Sequence, residues 1–375
     1  MALRTTALGT VAGLIIGIGL ASFSPPADSP PPRAALVSDT HGRLAELCIH
    51  YRRDFHDHSV DLYTDFISAL APGTIVQVVT KDHSAFEFFR GAMVSALAMS
   101  GARLRPVITG FPITPWAKDR FGTMRTEDGE PLIAVPPAAD HMTGPRGNDG
   151  RVPFVLAQRL SHAATRSLPF FFDGGDLIAD DKIAYVAADF LARNQPEDVD
   201  NRVALINRIA FALGRHVVTL GRTPHDTPDH HIGMYLTPLG NRTVAVADPD
   251  LGRSILNRPP RTQRECGIDI ETDESAYEPF RCVITEFEAK GFTVVRIPML
   301  LTTTPRVYVT YNNAILETRD EDKRIYMPVY DLPRLDDAAT RIFEAQGWNV
   351  IPVRVGKVYQ HTGSLRCLVG IIRRG

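Results

Sequence analysis

The feature that most limits the fold of this chain is a recurring phrase, in which paired short apolar strands are followed by a helix and a further strand. The phrase is written about five times along the sequence. Residues 74–79 and 104–109 read as strands, with a helix over 83–100 closed by Gly101 between them. Strand, helix, strand at this spacing is the crossover of a mixed or parallel sheet, because parallel neighbours need a long connection. Later phrases use strands at 132–135, 170–172, 183–186, 216–220, 234–237, 243–246, 293–297, 307–311, 314–316 and 349–353. Their helices are expected at 198–213, 280–290 and 336–346, and a last strand follows Cys367. Apolar residues at helical spacing also predict a helix over 44–70. No period is visible residue by residue, so the repetition is one of structure only. The expected architecture is one α/β domain with internal pseudosymmetry over residues 38–375. The alternative is two α/β domains divided near Asp248-Pro249.

The N-terminus stands outside this pattern. Arg4 precedes an apolar run from Ala7 to Phe23, and a Pro-rich stretch follows. Residues 1–24 therefore read as a secretory signal peptide or a membrane anchor, and residues 25–37 as a Pro-rich linker. Export from the cytoplasm is expected (periplasmic, extracellular or tethered by the N-terminus), with release and tethering both open. The formal net charge of −2 gives no basic footprint, which excludes nucleic acid as the expected partner. Four cysteines are too few for a disulfide scaffold. Cys266 and Cys282 flank a polar, charge-rich segment, and a disulfide between them is one of two open outcomes in an oxidising compartment.

Four stretches carry polar groups where the α/β pattern asks for none. In Gln360–Ile372 a Gly363-Ser364 loop runs into Cys367 and an apolar strand. A thiol mounted there is either a nucleophile or a small buried hydrophobe, and its partners decide which. Trp116-Ala117-Lys118-Asp119 places an aromatic beside a carboxylate, a pairing able to hold a cation. In Asp173-Gly174-Gly175-Asp176, two acids flank two glycines after three phenylalanines, where a plain β-turn needs one Asp-Gly. His230-His231 precedes a strand; neighbours on an extended chain face opposite ways, so one histidine turned into a site suits acid–base work better than joint metal binding. His361, six residues before Cys367, is a weaker second candidate.

Together and in this order, the four stretches resemble the guanidino-group-modifying enzymes of the pentein fold. That superfamily includes arginine, agmatine and peptidyl-arginine deiminases, dimethylarginine hydrolases and amidinotransferases. The resemblance implies an α/β propeller of five pseudosymmetric ββαβ units around a central channel. It implies that Cys367 attacks a guanidinium carbon, that His231 acts as acid and then base, and that Asp173 orients His231. It makes Asp119, Trp116 and Asp176 substrate-binding residues, and it implies that neither a metal nor an organic cofactor is needed. The expected substrate is a small or peptidyl guanidino compound, and oligomeric state is not readable. Two departures stand out: Gly233 occurs where many deiminases have an aspartate, and Lys118 where they have arginine. An amidinotransferase and an inactive binding module therefore remain as alternatives to a hydrolase.

Overall fold

The computed structural model describes residues 34–137, 143–160, 162–194, 202–256 and 268–375. The expected signal or anchor, residues 25–33 of the linker and Cys266 lie outside the described residues, so the Cys266–Cys282 pairing does too. Cys282 itself is exposed on a helix. The linker expected to reach residue 37 stops short of it, because Ala34–Leu36 is a strand, β1. Among the described residues no helix is long and apolar enough to cross a membrane.

The described chain forms five separate sheets, and each is built on one phrase: an antiparallel pair, a helical crossover, and a parallel third strand. In the first, β2 (Leu44–His50), β3 (Ile75–Thr80) and β4 (Arg103–Ile108) run parallel, and the C-terminal strand closes against β2. Helices α1 (His56–Ser68), α2 (His83–Ala92) and α3 (Val94–Ser100) make its crossovers. In the second, β5 (Gly122–Thr126) and β6 (Pro131–Val135) are antiparallel, and α4 (Gly144–Asp149) and α5 (Val152–Arg159) lead to β7 (Ala164–Ser167) beside β6. Strand β1 adds to the edge of β5, with Leu36 opposite Met124. The third has β8 (Ile178–Ala179), β9 (Ile183–Ala187), helices α6 (Ala188–Asn194) and α7 (Arg202–Leu213), and β10 (His216–Leu220). The fourth has β11 (Leu236–Gly240), β12 (Thr243–Asp248), helices α8 (Pro249–Leu256) and α9 (Glu278–Ala289), and β13 (Thr293–Leu301), with β14 (Tyr308–Thr310) on its edge. The fifth has β15 (Ile315–Arg319), β16 (Asp322–Val329), α10 (Pro333–Ala345) and β17 (Asn349–Arg354). The final strand, β18 (Val369–Arg374), returns to the first sheet and pairs Val369 with Ile49.

One expectation and one stated alternative are corrected by this architecture. Residues 44–70 are not one helix. Leu44–His50 uses good helix formers, yet it lies between β18 and β3 with six of its seven residues buried, and burial on both faces overrides propensity. The helix begins at His56, where Ser59, Leu62, Tyr63, Phe66 and Ile67 make its buried stripe. Nor is there a domain boundary at Asp248-Pro249. Asp248 accepts the Leu251 amide at 2.9 Å and Pro249 opens α8, so this is a capped helix start inside one sheet. The predicted helix over 83–100 is broken at Met93 into α2 and α3, and its close at Gly101 holds, with φ of 67°. Strand β16 has no counterpart in the expectations from sequence, because its charged first half, Asp322-Lys323-Arg324, hides the buried run Ile325-Tyr326-Met327 that follows.

The regularity of the sheets has a direct consequence for placement. Trp116 and Asp119 lie just before β5, Asp173 and Asp176 before β8, and His231 before β11. Asn313 lies before β15, and Cys367 before β18. Every sheet thus presents the segment leading into its first strand, and each segment carries a polar residue.

Candidate active site

The loops before β5 and β8 are locked together by backbone. Gly174 N–H donates to Asp119 O at 2.8 Å, and a Cβ on Gly174 would lie 2.0 Å from Lys118 O. The second glycine answers to a different neighbour. A Cβ on Gly175 would lie 2.4 Å from Nδ1 of His231. The pair of glycines is therefore needed for close approach on both sides, not for a turn. Of the three phenylalanines before them, Phe170 and Phe172 are buried and Phe171 is exposed, so the apolar approach to Asp173 comes from two rings. Gly175→Ala is expected to cost about 1–3 kcal/mol of stability through overpacking and to depress kcat far more than KM, by pushing the imidazole off its carboxylates. Steady-state kinetics alongside thermal unfolding read both effects.

His231 stands between two acids. Its Nε2 lies 3.6 Å from Asp173 Oδ2 and its Nδ1 lies 3.9 Å from Asp119 Oδ1. Burial alone would depress this histidine, but the nearby Asp173 carboxylate and the charges of Asp119 and Asp176 outweigh it and hold its pKa above the ordinary value. Burial pushes Asp119 up, against the charges of His231 and Arg146 that pull it down. At Asp173 burial is outweighed by His231 and by the Arg146 and Arg120 guanidinium groups, and the carboxyl is held low.

His230 has a separate job. It accepts the His231 amide on Nδ1 at 2.8 Å, so its Nε2 carries the proton and donates to Thr362 O, also at 2.8 Å. Burial and the neighbouring His231 push its pKa down to about 4, which keeps it neutral in this bridging role. The bridge ties the loop before β11 to the loop before β18. His361 is exposed and turns away to the rings of His58 and Phe55, so the structure does not bring it to the site.

Cys367 is 7% exposed and packs with Met234, three residues beyond His231, at 3.9 Å between sulfurs. Its Sγ lies 3.5 Å from Asn313 Oδ1, which also accepts the Cys367 and Arg366 amides at 3.3 and 2.8 Å. Asn313 Nδ2 in turn donates to Gly233 O at 3.2 Å. Burial, with the Asp119 charge, pushes the thiol up to about 11, so the free protein holds a neutral thiol. Lys118 N–H donates to Cys367 O at 3.1 Å, and burial together with the Arg366 charge brings the Lys118 side chain down to about 8.

Trp116 packs closely against the glycine of the cysteine loop, where a Cβ on Gly363 would meet its ring at 2.4 Å. Asp176 turns back: its Oδ2 accepts the Asp173 amide at 2.8 Å and lies 2.9 Å from Arg193 Nη2. It therefore braces the Asp173 turn while still lining the cleft below. Gly233, the position of the missing acid, faces a cation. A Cβ there would lie 2.6 Å from Arg366 Nη1, and Arg366 Nη2 is paired with Asp39 at 2.7 Å. An aspartate at 233 would point at Arg366, so the departure at Gly233 does not leave an open place for a second guanidinium-binding acid.

An open cleft of about 440 Å³ leads to His231, lined by Asp176, Asp189, Arg193, Asp229, His230, Arg306, Tyr308 and Thr362. Its volume suits a ligand the size of an amino acid or larger. Among the described residues no group of three or more His, Cys, Asp and Glu side chains is placed to hold a metal ion. Asn313, Arg366 with Asp39, and Arg146 escaped the reading from sequence. Asn313 alone had a usable signal, since it occupies the same place before a first strand as the other four.

No family model matches the chain, and no curated protein is similar to it by sequence. Solved structures are similar in fold. The C. jejuni agmatine deiminase superposes with a TM-score of 0.67 at 15% identity, covering 91% of this chain and 96% of that one. A provisionally assigned peptidyl-arginine deiminase gives 0.65 at 12%, covering 92% and 99%. A provisionally assigned agmatine deiminase gives 0.64 at 12%, covering 91% and 96%. The fold is the pentein fold.

Proposed function

We propose that this pentein-fold chain is a cysteine-dependent hydrolase that cleaves a C–N bond of a guanidino compound and releases ammonia or an amine. The observation that carries the reading is convergence. Five equivalent loops bring two carboxylates, a histidine between them, and a thiol beside an amide into one neighbourhood. Paired carboxylates recognise a planar cation with several N–H donors, because each oxygen accepts from the fork. The solved structures similar in fold include proteins described as agmatine and peptidyl-arginine deiminases, which adds weight to the same substrate class.

In this reading Asp119 and Asp173 hold the guanidinium nitrogens while the bound cation favours ionisation of the Cys367 thiol, whose proton is released to solvent. The thiolate sulfur bonds to the guanidinium carbon. His231, protonated because of its acids, gives its proton to the departing nitrogen, which leaves as ammonia or an amine with the electrons of the broken C–N bond. The amidino-thioether that remains is attacked by water, whose proton passes to the now neutral His231. Collapse breaks the C–S bond, with its electrons returning to sulfur as thiolate and the remaining hydroxyl proton passing to solvent, and leaves a ureido product.

The experiment is a turnover assay on the full chain with agmatine, free arginine, N-acylarginine amide and N-methylated arginine. Ammonia or methylamine release is followed together with the ureido product. Release with matching ureido product supports the hydrolase. Release that requires an added amine and yields a new guanidino compound would replace it with a transferase, and the absence of either with every substrate would favour a binding module.

A further inference from the structure

The place between Asp119 and Asp173 already holds a guanidinium, and it belongs to the chain. Arg146 Nη1 donates to Asp119 Oδ2 at 2.6 Å, and its Nη2 lies 3.7 Å from Asp173 Oδ1. One planar fork thus spans the two carboxylates, as an incoming guanidino group would have to do. Arg120 also reaches Asp173, at 3.2 Å, but the two arginines differ in mounting. The Arg120 side chain is 5% exposed and that of Arg146 is 28% exposed, so Arg120 is fixed in the interior while Arg146 reaches in from the rim.

The backbone beneath Arg146 is pinned to the loop before β5. Asn148 Nδ2 donates to Pro112 O at 2.8 Å, and the Asp149 carboxylate accepts the Thr114 amide at 2.8 Å and the Thr114 hydroxyl. With α4 held in this way, the side chain alone has to swing to vacate the carboxylates. The carboxylates cannot be left without a cation cheaply, since Asp119 is nearly buried and faces both Asp173 and His231.

We propose that Arg146 is a built-in competitor for the substrate seat: its guanidinium occupies the Asp119–Asp173 pair in the free protein, and a guanidino substrate binds by displacing it. The inference rests on the guanidino-site reading above and deepens it. Exchange of one guanidinium for another leaves the charge of the seat unchanged, so the carboxylates are never stranded. The cost is affinity, because every substrate competes with a tethered ligand at high local concentration. Arg146 therefore sets the threshold for binding.

The test is a calorimetric titration of methylguanidinium into the full chain carrying Cys367→Ala, at fixed ionic strength, with methylammonium as the control cation. Adding Arg146→Ala is expected to tighten methylguanidinium binding by about tenfold or more, with a smaller gain for methylammonium, which matches the charge of the seat but not its fork. Arg146→Lys, which keeps the charge without the fork, is expected to fall between the two and guards against an alanine variant that fails to fold. Equal or weaker binding in the folded Arg146 variants would overturn the competitor while leaving the guanidinium site standing. No binding to any of these proteins would remove the site reading, and the competitor with it.

Discussion

On the proposed mechanism Cys367→Ala is expected to lower kcat by at least about 10⁴-fold, the scale seen when a covalent nucleophile is removed and only binding and acid–base groups remain. The thiol lies close to Met234 and Asn313, and truncation removes only one sulfur. Stability is accordingly expected to fall by no more than about 1 kcal/mol, a typical effect for a small change at a buried site. The combination is diagnostic. A core cysteine would affect unfolding and leave turnover alone, whereas a nucleophile does the reverse. Turnover retained within a few-fold of the parent would remove Cys367 from the mechanism. Asn313→Ala is the natural companion, since it strips the Oδ1 that accepts two backbone amides and lies beside the sulfur.

His231→Ala has the second largest expected effect, a loss of about 10²–10⁴-fold, the range for removal of a general acid–base group. Because its acids hold His231 above the ordinary histidine value, the protonated form that the proposed mechanism uses for leaving-group departure persists to higher pH than an unperturbed imidazole would allow. The parent profile should therefore fall on its alkaline side through that raised pKa, and this limb should vanish from the residual activity of the variant. His230→Ala is expected to be milder, since it removes a bridge to Thr362 and no charge: His230 is neutral already. A larger loss at His230 than at His231, or a retained alkaline limb in His231→Ala, would reassign the acid.

The legible part of this protein was its punctuation. The phrase reads about five times, because the apolar runs and their glycine stops are local signals, and the described chain has five sheets. Only four phrases read as strand, helix and strand, however: of the second sheet only the strand at 132–135 is legible, and residues 170–172, which read as a strand, are a loop. Asp173-Gly174-Gly175-Asp176 drew notice for its second acid and its apolar approach, and the need for the second glycine, which the ring of His231 explains, was not legible. That only one of His230 and His231 turns into a site rested on a local rule, that neighbours face opposite ways, while the choice of His231 rested on the resemblance; the two side chains diverge to Asp173 and to Thr362.

Three features were hidden because their causes are distant in sequence. Leu44–His50 looks helical until β18 and β3 close on either side of it. Arg146 is an ordinary basic residue until its chain segment is pinned by Asp149 to the loop that carries Asp119. Gly233 reads as a lost acid, yet its meaning lies in Arg366 and Asp39, which come from the two ends of the domain. Periodicity and local propensity hold no information on such pairs.

The central claim, an activated thiol at a guanidinium seat, is tested most directly by intact-mass labelling of the full chain with 2-chloroacetamidine, followed by peptide mapping. Cys282 is exposed and Cys48 is fully buried, so a reagent that reads exposure alone modifies Cys282 first, and iodoacetamide serves as that control. The amidine reagent is predicted to modify Cys367 ahead of Cys282, Cys266 and Cys48, with protection by arginine-like guanidino compounds. Modification of Cys282 ahead of Cys367 by both reagents, or labelling of Cys367 that guanidino compounds leave unchanged, would contradict the account.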